Sequence, residues 1–249
     1  MTNNSKNLII IGRNPVLEAL HENSDIEKVY LLQGITGEFE KVLRHLCRKK
    51  DVPLQIIPKE RMSRFSTANH QGVIALKPSI DYYKVEDVVA HCYENGRMPL
   101  LLILDEITDV GNLGAIARSA LGFGVDAIIV PTTGTAPINA DSIKASAGAL
   151  LKLQVCRVPS LGNTIKYLQE CGISILASSL EANTNISTLD LKVPMAIIIG
   201  SEDLGVKPHL LRESDQRFII PQSDAMESLN VSVASGIMLY EVFKQRNDI

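Results

Sequence analysis

Three stretches of this 249-residue chain place small and polar side chains directly after apolar runs. The first, LDEITDVGNLGAIARSA (104–120), carries Asn112, Gly114 and Arg118. The second, IIIGSEDLG (197–205), carries Gly200 and Glu202. The third, FIIPQSDAMESLN (218–230), carries Ile220, Ser228, Leu229 and Asn230. On a helix starting near residue 112, Asn112 reads as an N-cap, and Gly114 lets a partner approach the backbone. Gly114 and Arg118 are four apart and share a face. Arg118 has no carboxylate nearby in sequence, so it reads equally as a site arginine and as a surface arginine on an amphipathic helix. Ser228 and Asn230 stand at the mouth of an apolar helix, IMLYEVFKQR, where a helix cap is one explanation.

Several familiar chemistries are excluded by spacing. No G-x-x-x-x-G-K-[ST] string occurs, which argues against a phosphate-loop NTPase, and no G-x-S-x-G elbow is present. The G-x-G-x-x-A match in GFGVDA (122–127) lies after a helix and before a strand, the reverse of a dinucleotide turn. The five histidines show no metal or triad spacing, and His45 and Cys47 point to different faces of one helix. The four cysteines, at 47, 92, 156 and 171, form no C-x-x-C pair, which suits a reducing cytoplasm.

The elements that must position these residues alternate between strand and helix. Short apolar runs LLLILD, AIIVP, ISILAS, MAIIIGSE and FIIPQ are separated by helical stretches. Runs apolar on both faces imply an α/β domain with a mainly parallel sheet between helices, whose ligands bind at strand exits. This second domain spans 98–249. A smaller α/β unit spans 1–77, and the more polar 78–97 reads as a linker in which residues 85–93 are helical. The N-terminal LIII reads as a first strand rather than a signal peptide, and no apolar run has the ~20 residues of a membrane span. Net charge is -3, yet residues 41–64 hold eight bases against two acids, an electrostatic footprint for a polyanion or simply a solvated face. Aromatics are few at 4%, leaving Phe65, Tyr82 and Tyr83 as candidates for base stacking.

Taken in order, the three motifs resemble those of the SpoU (TrmH-like) ribose 2′-O-methyltransferases of the SPOUT superfamily. GRNPVLEAL and NHQGVIALKP are similar to the substrate-binding domain of the family's 23S rRNA guanosine members. The resemblance implies a trefoil-knot catalytic domain, which pattern reasoning alone does not reach. It implies S-adenosylmethionine as methyl donor without a metal, held at Gly200, Ile220 and Leu229. It implies a catalytic role for Arg118, supported by Asn112, Glu202, Ser228 and Asn230. Arg118 is then either a proton acceptor assisted by an RNA phosphate or an anchor for phosphate and developing alkoxide. The implied partners are RNA, with 23S rRNA ahead of tRNA, and a second copy of the chain. The small residues of SVASGIMLYEV and KASAGALL would allow close helix contact in that dimer. A non-catalytic RNA-binding protein is the rival reading, and the set of polar motif residues argues against it. One departure is Asp203, where the family commonly has glycine; it is expected to stiffen the turn.

Overall fold

The computed structural model describes residues 9–22, 26–66, 68–223 and 228–249, and the chain divides into two units, 1–79 and 80–249. In the first unit, β1 (Ile9–Ile11), β4 (Val73–Leu76), β2 (Lys28–Leu32) and β3 (Leu54–Ile57) lie side by side in that order. β4 is antiparallel to both β1 and β2, and β2 is parallel to β3. The strands alternate their side chains between two layers. Val29, Leu31, Val73 and Ala75 pack with helices α1 (Arg13–His21) and α2 (Glu38–Lys49). Tyr30 and Ile74 pack with Met62 of the short α3 (Lys59–Met62).

Helix α2 forms because Leu43, Leu46 and Cys47 recur on one face and are buried, while its acidic first turn and basic last turn match the helix dipole. The opposite face leaves Lys41, Arg44, Arg48 and Lys49 exposed, with Lys59, Arg61 and Arg64 exposed further along the chain. Phe65, an expected stacking residue, is instead engaged inside the unit, its ring 4.6 Å from that of Tyr30.

The second unit holds a sheet ordered β11 (Gln216–Phe218), β9 (Ser174–Ser178), β10 (Met195–Ile199), β6 (Leu100–Leu104), β7 (Ala127–Pro131), β8 (Gln154–Val158), β5 (Tyr82–Tyr83). Every pairing in it is parallel. Leu100, Leu102 and Leu104 face a layer that includes α5 (Val110–Gly122) and α9 (Val231–Arg246). Leu101 and Ile103 face α4 (Val85–Glu94), α7 (Leu161–Glu170) and α8 (Pro208–Glu213). Both faces are covered, which is why these strands read as continuous apolar runs. None of the helices among the described residues is long and apolar enough to cross a membrane.

Residues 78–97, read from sequence as a linker, belong largely to this second unit. Tyr82 and Tyr83 pair with Val155 and Cys156, and Val85, Val88, Val89 and Cys92 of α4 are buried against the sheet. Polarity misled here because α4 buries one face only. Strand β8 escapes a reading by apolar runs for a related reason: Gln154 and Arg157 interrupt its apolar pattern.

Helices α5 and α9 run side by side in the same direction. Asn112 meets Asn230 at their starts, a Cβ on Gly236 would lie 3.6 Å from Ser119 Oγ, and Phe123 meets Tyr240 and Phe243 near their ends. Gly114 packs so closely on the end of α6 (Ala140–Ala145) that a Cβ there would sit 2.6 Å from Ala145 Cβ and 2.7 Å from its carbonyl carbon. Its missing side chain therefore admits the protein's own helix, not an external partner.

At the far end of α9, the guanidinium of Arg246 donates to the carbonyls of Leu191, Met98, Pro99 and Val193, at 2.6–3.3 Å. That clamps the last helix to the segments entering β6 and β10. Burial lowers the pKa of Arg246 from its ordinary value. The buried thiols of Cys47 and Cys92 are pushed up to about 11 and that of Cys156 to about 12, chiefly by burial, so they are unreactive core side chains.

Candidate active site

The chain leaves β6 at Leu104, crosses to β7 and β8 on one side, and returns to β9 and β10 on the other. Strands β6 and β10 are thus neighbours at the point where strand order reverses, and ligands of open parallel sheets bind at the carboxyl ends there. Loop 105–109 follows β6, loop 200–207 follows β10, and residues 219–230 follow β11. These are the three motifs.

Glu202 joins them. Its Oε2 accepts from Asn112 Nδ2 at 3.4 Å and from Asn230 Nδ2 at 3.3 Å, and Asn230 Nδ2 also donates to Asn112 Oδ1 at 3.1 Å. A carboxylate only accepts, so both amide nitrogens turn toward it and the amide orientations follow. Asn230 Oδ1 takes the backbone N–H of Ser232 at 3.0 Å and its hydroxyl at 2.6 Å. Glu202 thereby lies beside the starts of α5 and α9, the helix ends that favour negative charge.

One expected cap is corrected and an open one is decided. The N-cap of α5 is Asp109, whose Oδ1 accepts from Asn112 N at 2.7 Å, so Asn112 already lies inside the helix and its side chain is released for the junction. The N-cap of α9 is Asn230, not Ser228. Ser228 and Leu229 lead into that cap and are half-buried.

Loop 200–207 is held at both ends. Gly205 folds back over Gly200, with Gly205 N donating to Ser201 O at 2.9 Å. The approach is so close that a Cβ on Gly200 would overlap the Gly205 carbonyl and Val206 nitrogen. Gly205 carries the left-handed turn conformation at φ +68°, and Asp203 has no positive φ, so an aspartate is accommodated where glycine is common.

Beyond the turn, Asp105 is 1% exposed, and its Oδ2 accepts from Lys207 N at 2.9 Å. Lys207 Nζ lies 2.9 Å from Glu106 Oε1 and 3.5 Å from Asp105 Oδ1. The hydrogen bond to Glu106 and the two carboxylates raise the Lys207 pKa against its desolvation. Asp105 and Lys207 were not among the expected site residues. The signal was present, because an acid directly after five buried aliphatics marks a strand exit.

Arg118 is exposed on α5, shares the α6 side of the helix with Gly114, and makes no hydrogen bond or ion pair with a described residue. Neither Asn112 nor Glu202 orients it. Ile220 and Leu229 are half-buried, and their backbone groups make no hydrogen bond with another described residue. They offer donors, acceptors and apolar surface together. Residues 224–227 of the third motif lie outside the described residues. Among the described residues no group of three or more histidine, cysteine, aspartate or glutamate side chains is placed to hold a metal ion.

Comparison with known proteins agrees with this geometry. The model of the SpoU rRNA Methylase family matches residues 99–240, and that for RNA 2′-O ribose methyltransferase substrate binding matches residues 9–83. YacO of Bacillus subtilis (strain 168), assigned to the TrmH family of tRNA/rRNA methyltransferases, is 31% identical over 241 residues, covering 96% of each chain. A relative from Staphylococcus saprophyticus with the same family assignment is 34% identical over 243 residues, covering 97% of each chain. Among solved structures, the SpoU methyltransferase AviRb from Streptomyces viridochromogenes with AdoMet superposes at TM-score 0.61, 22% identity, covering 97% of this chain and 91% of its own. A TrmH/SpoU tRNA modifying enzyme from A. aeolicus superposes at TM-score 0.56 and 26% identity, covering 66% of this chain and 84% of its own.

The junction generates a test in stability measurements. Asn112→Ala is expected to lower stability by about 1 kcal/mol through its lost hydrogen bonds, and Asn230→Ala by about 0.5–2 kcal/mol because a cap is lost too. In urea unfolding, the double variant should depart from the sum by at least about 0.5 kcal/mol. Strict additivity would mean that the two amides do not interact.

Proposed function

The chain belongs to the SpoU rRNA methylase family, and from that premise we propose that it methylates the ribose 2′-hydroxyl of a guanosine in 23S rRNA. It is an RNA 2′-O-methyltransferase, and the observation that carries its active-site assignment is the junction of Asn112, Glu202 and Asn230. That junction brings all three motif loops to one strand exit.

S-adenosylmethionine, when bound, supplies an electrophilic methyl group on a sulfonium. The residues present fit it. Ile220 and Leu229 provide open backbone groups beside apolar side chains, which an adenine requires, and the folded turn of Gly200 borders the same place. A sulfonium donor needs neither metal nor acid to react. As its oxygen is methylated, the ribose hydroxyl gives up its proton to water or to a neighbouring RNA phosphate oxygen, and the electron pair of the broken S–CH3 bond stays on the departing thioether sulfur. A guanidinium is a poor proton acceptor, so we assign Arg118 to the phosphate beside the target ribose and to the negative charge developing on the oxygen. Its exposure, with no hydrogen bond or ion pair to a described residue, supports that assignment. Asn112, Glu202 and Asn230 set the shape of the loops around the reacting groups, and Ser228 lines the approach.

The first unit is assigned to RNA binding. Its match to a substrate-binding domain and the exposed bases of α2 and residues 59–64 support this reading. Such contacts attach to phosphates and position the RNA without reading its sequence. A tRNA substrate is the alternative; the A. aeolicus tRNA enzyme, which matches only 66% of this chain, speaks for a larger rRNA target.

We further propose that the enzyme is a homodimer. The small residues first considered for its interface serve packing within the chain, at Gly236 on Ser119 and at Ala145 on Gly114. Helix α9 instead leaves Val233, Ile237 and Tyr240 exposed by 51%, 40% and 51% in a single stripe. A second copy of this chain would cover it. Sedimentation at micromolar concentration should return twice the 27.2 kDa chain mass; a single-chain mass would remove the dimer from the account.

Replacing Arg118 tests the chemistry. Arg118→Ala should lower methyl transfer by at least about 10²–10³-fold while leaving S-adenosylmethionine affinity unchanged. Arg118→Lys, which keeps charge but loses the planar fork, should remain strongly impaired. Normal turnover in Arg118→Ala, followed with tritiated methyl donor, would show that the catalytic assignment is mistaken.

A further inference from the structure

A second concave site lies on the same carboxyl edge of the large sheet, two strands from the junction. The exits of β5 and β8 and the starts of α4 and α7 enclose a cleft of about 320 Å³. With β7 between them, β6 and β8, the nearest strands of the two sites, are two strand spacings or about 10 Å apart. None of the three motifs contributes to this cleft.

Its lining has a specific chemistry. Tyr83 is 46% exposed, an unusual position for a ring on a two-residue strand whose neighbour Tyr82 packs against the core. Tyr167 of α7 also lines the cleft. Ser160 and Asn163, at the start of α7, add hydroxyl and amide groups. Lys84 and Arg157 add two positive charges and Glu86 one negative. An aromatic wall, amide and hydroxyl groups, a carboxylate for N–H donors and a lysine for a phosphate together match one unpaired nucleotide.

We propose that this cleft binds an unpaired nucleotide of the substrate RNA within a few residues of the methylated ribose, its base stacked on Tyr83 and its donor edge turned to Glu86. The inference rests on the reading of the chain as an RNA methyltransferase. It adds a recognition pocket in the catalytic unit, separate from the basic face of the first unit. Of the three aromatic residues that the sequence offers for stacking, Tyr83 is thereby the one left for RNA, since Phe65 and Tyr82 are engaged internally.

The chain has no tryptophan, so Tyr83→Trp gives the full-length protein a single indole reporter in the cleft. A mixed-sequence single-stranded 12-mer RNA should quench its emission saturably, and the same RNA annealed to its complement should not. Glu86→Ala in that background should weaken the quenching by severalfold. With rRNA from a strain lacking the enzyme, Tyr83→Ala should raise KM for RNA about tenfold, the loss of one base–aromatic stack, with kcat and S-adenosylmethionine affinity unchanged. Equal quenching by single strand and duplex, or an unchanged KM in Tyr83→Ala, would overturn the proposal. Saturable single-strand quenching by a protein that methylates no RNA would uphold the cleft and reject the catalytic reading instead.

Discussion

One carboxylate oxygen holds the catalytic unit's architecture to its chemistry. Glu202 Oε2 accepts from two asparagines that are 118 residues apart in the chain, each at the beginning of a helix. For this to happen β10 must lie against β6, and α9 must come back beside α5 after the chain has visited the sheet's edge at β11. The all-parallel sheet, its reversal of strand order and the parallel helix pair all serve that meeting. A carboxylate without the two amides would stand at the mouth of the site with no fixed direction. Without the carboxylate, the amide nitrogens would compete for each other's oxygens and for water.

The loop bearing Glu202 is prepared before it reaches the junction. Asp105 N donates to Ile199 O before the loop, its buried carboxylate takes the backbone of Lys207 after it, and the Lys207 side chain reaches Glu106, so both flanks of the loop are tied to the exit of β6. The bend between them closes so tightly that Gly200 has no room for a side chain. This is preorganisation: the entropy of arranging the loops is lost on folding, so that little remains to be lost when donor and RNA arrive. Arg118 is treated differently. It stands exposed, with no hydrogen bond or ion pair to a described residue, open to the phosphate proposed for it.

Much of this was legible in the sequence, and the rest failed for physical reasons. The three motifs announced themselves because polar residues directly after buried strands are costly unless they do something, and their order gave the family and its fold. Asn112, Glu202 and Asn230 were identified as site residues, yet their mutual contact was not visible, since sequence separation carries no information about which strands become neighbours. The cap of α5 was misplaced by three residues, to Asn112 instead of Asp109, and the cap of α9 was left between Ser228 and Asn230, because asparagine, aspartate and serine all cap well. Residues 78–97 were read as linker because a one-sided helix and a two-residue strand show little apolar text. Small residues in SVASGIMLYEV and KASAGALL promised an interface; Gly236 and Ala145 among them instead fit α9 and α6 to α5 within the chain.

The central claim is that the Glu202 junction builds the place where S-adenosylmethionine binds, through geometry and not through charge. Isothermal calorimetry in buffer containing a metal chelator tests it with the wild type, Glu202→Gln and Glu202→Ala. Glutamine keeps an oxygen that can accept from both asparagines, so its affinity should stay within about threefold of wild type, whereas alanine removes the acceptor and should weaken binding about tenfold or more, the worth of roughly 1.4 kcal/mol. Binding by Glu202→Ala as tight as that of the wild type would contradict the claim.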